Sequence, residues 1–129
     1  MISFDQFIME DGSPIYLQIL TYIKRGVIAG AIADGDELPS RRVLSALLGV
    51  NPNTVQKAYK LLEDEGLIAS HAGAKSVMAL NADTIQQIRT ELLDNDAKNA
   101  IRALRAMGIT KDEAIALIET HWDEGGTSI

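Results

Sequence analysis

The chain has 129 residues, 47% of them apolar, no cysteine and a formal net charge of −6. That length suits one ordinary domain or a small domain with an appendage, and the missing cysteine excludes disulfides and thiolate metal sites. No basic stretch followed by an apolar core opens the chain and no apolar run approaches membrane-spanning length, so a cytoplasmic protein without signal peptide or membrane span is expected.

Ser13-Pro14 reads as a helix start by cap-plus-proline logic, with apolar residues recurring at Tyr16, Ile19, Leu20, Ile23 and Val27 to about Gly30. Gly35-Asp36 and then Pro39 break the chain. Ser40 can cap a short helix with Val43, Leu44, Leu47 and Leu48 on one face, and Gly49 stops it with Val50 just beyond. Asn51 caps the next helix and Pro52 takes its first position, where a missing N–H costs nothing. That helix should run from about Pro52 to Glu65, with Val55, Ala58, Tyr59 and Leu62 as its apolar stripe and Gly66 ending it. Tyr16 and Tyr59 are expected in the core. A helix, a tight glycine turn and a capped second helix form a helix-turn-helix.

Two short β-compatible runs around a glycine turn follow, from Leu67 to Ser70 and from Lys75 to Leu80. A hairpin directly behind such a helix is a wing. From Ala82 the pattern is purely helical through some 25 residues without Pro or Gly (Ile85, Ile88, Leu92, Leu93, Ala97, Ala100, Ile101, Leu104, Met107). Gly108 ends that run. Thr110 and Glu113 form a capping box for a last helix with Ala114, Ile115, Leu117, Ile118 and Trp122 on its apolar side. The tail from Gly125 to Ser128 is expected to be disordered. The fold class is therefore mainly α with a small β-hairpin: a winged helix-turn-helix over residues 1–80 and a two-helix segment over 81–129.

Net acidity speaks against nucleic acid at first sight, because phosphate binding depends on Lys and Arg. The distribution reverses that impression. Residues 38–62 carry Arg41, Arg42, Lys57 and Lys60 and no acid, while the acids of the first half cluster at 5–11, 34–37 and 63–65. Screening over about 8–10 Å at physiological salt lets a local basic face act despite distant acids.

The segments Pro14-Ile15-Tyr16-Leu17-Gln18-Ile19, Leu38-Pro39-Ser40-Arg41-Arg42, Gly49-Val50-Asn51-Pro52-Asn53-Thr54-Val55 and Leu62-Glu63-Asp64-Glu65-Gly66-Leu67-Ile68 resemble signatures of the DNA-binding domain of GntR-type transcription regulators, in the family's order. The resemblance covers about half the chain. The remaining 49 residues are too few for the large effector-binding domains of most such regulators, and look like the YtrA-type branch, whose short helical segment serves dimerisation. The resemblance implies a sequence-specific regulator that binds double-stranded DNA, with no cofactor and no metal. One departure is visible: relatives usually have a more basic wing, whereas here Lys75 is its one permanently charged cation.

In such a protein the N-terminal turn of the second helix enters the major groove. Asn53, Thr54 and Gln56 can then reach base edges, while Lys57 and Lys60 touch phosphate. By resemblance Arg42 is the candidate for a direct contact from the first helix, with Arg41 nearby; Gly73 and Lys75 belong to the wing. Asn51 reads equally as a cap and as a DNA ligand. The long apolar seam points to a homodimer interface built from Ile85, Ile88, Leu92, Ala97, Ile101, Leu104, Ile118 and Trp122, because a lone partner helix of this chain leaves much of it uncovered. The alternative is that the long helix folds back on its own winged domain.

The reading is a dimeric operator-binding regulator, a repressor since no activating surface is evident. The competing reading is a winged-helix protein-interaction adaptor that has lost DNA binding. Nothing points to an enzyme: there is no phosphate-binding glycine loop, no nucleophile elbow and no metal-spaced set of His, Asp and Glu. No residue set specifies a small-molecule effector.

Overall fold

The computed structural model describes residues 1–71 and 75–127. Helix α1 (Ile15–Ile28) has Pro14 at its N-cap and no side chain capping it there. Ser13 does not cap the helix as its sequence suggests. Gln18 instead reaches back from the first turn: its Oε1 accepts the Glu10 N–H at 2.8 Å, and its Nε2 donates to the carbonyls of Glu10 (2.8 Å) and Ser13 (2.9 Å). The arm before the helix is thereby fixed. Phe4 stacks on Tyr22 at 4.9 Å between centroids, Phe7 meets the same ring edge-on, and the Tyr22 hydroxyl donates to the Ser3 carbonyl.

Helix α2 (Arg41–Leu48) starts where Ser40 Oγ accepts the Val43 N–H at 3.1 Å and stops at Gly49, whose φ of 68° is the left-handed conformation that glycine tolerates. Its buried face differs from the expected one. Leu44 is fully buried and Leu48 half-buried, but Val43 and Leu47 are 53% and 62% exposed. Ser45 is buried in their place, its hydroxyl donating to the Arg42 carbonyl, and half-buried Arg41 completes that side. A serine that bonds its own helix and an arginine with a long aliphatic stem can turn inward, and both read as polar in sequence.

Helix α3 (Pro52–Asp64) is the central element, packed against α1, α2 and the first strand of the hairpin. Asn51 Oδ1 caps it by accepting the Asn53 N–H at 2.8 Å. Val55, Ala58, Tyr59 and Leu62 are all fully buried, as their spacing predicts. Lys24 of α1, only 4% exposed, pairs with Glu65 at the end of α3 at 2.8 Å. Buried lysine is costly unless paired, so this contact fixes how α1 crosses α3.

The hairpin consists of β1 (Ile68–His71) and β2 (Lys75–Met78), antiparallel, with Ile68 opposite Met78 and His71 opposite Lys75. A third extended stretch lies along β2. Leu38 N–H donates to the Ser76 carbonyl, Met78 N–H to that of Asp36, and Gly35 N–H to that of Met78; Ile2 N–H then bonds the Glu37 carbonyl. Two acids read as mere charge in sequence fix this stretch: Asp34 accepts the Leu80 N–H at 2.7 Å and Asp36 that of Ala33 at 2.8 Å.

Two further helices follow, α4 (Ala82–Arg105) and α5 (Lys111–Thr127). Asn81 and Thr84 cap the first reciprocally, and Thr110 and Glu113 form the capping box of the second. Helix α5 continues through Gly125 and Gly126 to Thr127, where a disordered tail was expected; Ser128 lies outside the described residues. The chain divides into two compact units, Met1–Thr90 and Glu91–Ile129.

Tyr59 is the largest fully buried side chain, and its hydroxyl donates to the carbonyl of buried Pro39 at 2.6 Å. Burial pushes that hydroxyl's pKa far above its usual value, with Arg41 opposing the shift, so it remains a donor throughout the physiological range. Tyr59→Phe should strand the Pro39 carbonyl and lower the unfolding free energy by about 1–3 kcal/mol. Urea denaturation measures it; a loss of only a few tenths would show that water replaces the bond.

Candidate nucleic-acid interface

The face formed by the start of α2 and the first two turns of α3 is where the acid-free stretch becomes a surface. Asn53, Gln56, Lys57 and Lys60 are exposed there and Thr54 is half-buried, because Val55, Ala58 and Tyr59 turn the opposite side of α3 into the core. Arg42 projects from the first turn of α2, fully on the exposed side. The N–H groups at the start of α3 and its dipole favour an anion nearby.

The candidate side chains are not equivalent. Asn51 spends its carbonyl oxygen on the helix cap. Arg41 lies over the Tyr59 ring, its guanidinium carbon 5.2 Å from the centroid, and its buried Nε has no hydrogen-bond partner among the described residues. The stem and Nε are thus committed to the core edge, and the residue as a whole is half-buried. Lys60 is paired with Asp64 one turn along at 2.7 Å, and that hydrogen bond raises its pKa. Lys75, largely solvated, approaches half-buried Glu37 at 3.8 Å, which leaves the wing with little net charge. Arg42, Asn53 and Gln56 have no side-chain partner among the described residues. Gly73 lies outside the described residues.

Tyr16 is a participant that the sequence places wrongly. It is half-buried rather than core, and Lys57 Nζ stands 4.1 Å from its ring centroid. An ammonium over an aromatic face gains about 0.5–1 kcal/mol at such a site, so α1 helps hold the lysine of α3 in one place. The signal was available in principle, since Tyr16 opens the apolar stripe of α1 at its solvent end, but the partner is 41 residues away.

In the second unit Ala97, Ile101, Ile118 and Trp122 are exposed and Leu104 is half-buried. Ile85, in the first unit, is also exposed. Ile88 and Leu92 are already buried within the single chain. Among the described residues no group of three His, Asp or Glu is placed to hold a metal ion, and no helix is long and apolar enough to cross a membrane.

Comparison with known proteins places these features in context. The family model described as bacterial regulatory proteins, gntR family, matches residues 15–75. The HTH-type transcriptional regulator YhcF of Bacillus subtilis is 30% identical over 117 residues, which is 91% of this chain and 96% of that one. The HTH-type transcriptional repressor YtrA of the same organism is 44% identical over 75 residues, 58% of each chain. Among solved structures, a GntR family transcriptional regulator from Listeria monocytogenes superimposes with a TM-score of 0.74 at 32% identity, covering 87% of this chain and 98% of that one.

The cap geometry makes a prediction of its own. Asn51→Ala should cost about 1 kcal/mol of unfolding free energy, and Asn51→Ser should recover most of it, since a serine oxygen caps as well. Equal losses from both substitutions would show that Asn51 is not held by its cap bond.

Proposed function

We propose that this chain, which belongs to the gntR family of bacterial regulatory proteins, binds operator DNA as a homodimer and represses transcription from it. Membership makes it a DNA-binding transcription regulator and not an enzyme. The observation that carries the finer reading is the exposed face on which, among the described residues, Arg42, Asn53 and Gln56 stand without side-chain partners while their neighbours are tied to the fold.

In this reading residues 1–80 bind DNA and residues 81–129 dimerise. The N-terminal turn of α3 enters the major groove. Gln56 and Asn53 can pair bidentately with adenine N6 and N7, and Arg42 with guanine O6 and N7; Thr54, at the edge of the face, adds a methyl or hydroxyl contact. Lys57, braced on Tyr16, and the outer end of Arg41 meet phosphate and set register. Lys60 joins them only by giving up Asp64. The wing, with Lys75 beside Glu37, adds little charge. Asn51 serves the site by shaping the helix start.

Few cations per copy make a single domain a weak DNA binder, which favours two copies on one site. The apolar positions of α4 and α5 are the candidates for pairing: Ile85, Ala97, Ile101, Ile118 and Trp122 are exposed and Leu104 is half-buried, whereas Ile88 and Leu92 are buried within the single chain. A two-fold pair would place recognition helices on half-sites about one DNA turn (~34 Å) apart. Repression is supported by the name of the YtrA relative, and a cytoplasmic setting belongs to the same reading.

The test is DNA binding on a duplex enriched from random sequence. Arg42→Ala together with Gln56→Ala should abolish specific binding while leaving the melting temperature within a few degrees of the parent. Parent affinity should fall steeply with salt, as counterion release requires. Unchanged binding by the double variant, or affinity indifferent to salt, would favour a protein-interaction adaptor instead.

A further inference from the structure

The chain has three tyrosines, and two of them spend their hydroxyls on the fold. Tyr22 donates to the Ser3 carbonyl at 2.8 Å and Tyr59 to that of Pro39 at 2.6 Å. The Tyr16 hydroxyl has no hydrogen-bond partner among the described residues. A tyrosine with its ring against the fold ordinarily finds a partner for its polar end. Here the half-buried ring is engaged, with Lys57 Nζ 4.1 Å from its centroid, and the donor is left over.

The place of that donor gives it a use. Lys57 stands one turn beyond Asn53 on the exposed side of α3 and, among the described residues, has no carboxylate partner. Its contact with Tyr16 puts the tyrosine at the edge of the DNA-facing surface, on the side where α1 packs against α3. Neither the first turn of α1 nor that of α3 carries an acid. An anion drawn to the ammonium therefore meets no carboxylate from either turn and finds a neutral O–H beside the charge. Tyrosine hydroxyls serve as phosphate donors alongside Lys and Arg.

We propose that Tyr16 is itself a DNA ligand: its hydroxyl donates to the backbone phosphate that the Lys57 ammonium meets. The two free oxygens of one phosphate accept one bond each, from the ammonium of α3 and from the phenol of α1. The ring holds the lysine in place, and the hydroxyl adds a directed hydrogen bond without adding charge. In a chain of net charge −6 a neutral donor supplies affinity that its few cations do not. This rests on the DNA-facing reading above and extends the interface from α2 and α3 to α1.

The test compares the full-length parent with Tyr16→Phe, Lys57→Gln and the double variant, on the duplex enriched from random sequence, over a salt series. Phenylalanine keeps the ring beside the ammonium and removes the hydroxyl alone. Because that hydroxyl bonds nothing within the chain, Tyr16→Phe should melt at the parent's temperature. Its DNA affinity should fall about tenfold, the effect of losing a hydrogen bond to a charged group. The slope of log affinity against log salt should stay the same, since no counterion-releasing charge is lost. Lys57→Gln should lower affinity and flatten that slope by about 0.9. In the double variant the two losses should fall short of additive, because both groups hold one phosphate. Parent-like affinity of Tyr16→Phe, a slope that flattens with its affinity, or fully additive losses would overturn the proposal. A parent that binds no duplex would bring down the DNA-facing reading itself, and the proposal with it.

Discussion

Tyr59 is the constraint on which the rest of the DNA-facing geometry depends. It is fully buried in the middle of α3, its hydroxyl holds the Pro39 carbonyl, and its ring supports the Arg41 guanidinium. One side chain therefore fixes the residue before the Ser40 cap, the first residue of α2, and the rotation of α3 about its axis. That rotation decides which residues of α3 face outward. With Tyr59 inward, Gln56 and Asn53 are exposed, and Arg42 emerges beside them from the turn that Tyr59 anchors. The interaction costs little, because a tyrosine hydroxyl remains protonated when buried and meets a carbonyl that would otherwise lack a donor.

The elements were legible where their cause is local. The Ser40 and Asn51 caps, the Thr110–Glu113 box, the glycine stop at Gly49 and the stripe of α3 all depend on residues within four positions, and they stand as the pattern implies. The family signatures likewise pointed to the right fold. What the pattern did not reveal is held together across long separations. Asp34 bonds Leu80, Lys24 bonds Glu65, and Tyr16 carries Lys57, while the aromatic cluster of the arm closes over Tyr22. The tilt of α2 was missed for a different reason: Ser45 and Arg41 turn inward, and residue type alone ranks them outside Val43 and Leu47.

Within the site, the list of polar residues was readable but not their division of labour. Sequence treats Asn51, Arg41, Lys57 and Lys60 alongside Arg42, Asn53 and Gln56. The structure ties the first four to a helix cap, an aromatic ring, another ring and an aspartate. Arg42, Asn53 and Gln56 have no such tie among the described residues; under the proposed function they read bases, with Thr54 at the edge, while Lys57 and Arg41 meet phosphate. Base readout by a small, rigidly presented set is consistent with a chain that is acidic overall, since specificity then depends on placement rather than on charge. In the proposed dimer the remaining affinity comes from two copies paired through apolar positions of α4 and α5.

The central claim is that two copies present this face together to one duplex. Selecting tight binders from a random duplex pool with the full chain tests it most directly. The account predicts enriched sequences with two-fold related half-sites whose centres lie about one turn (~34 Å) apart, each duplex holding two chains. No enrichment, or a lone half-site bound by one chain, would contradict it.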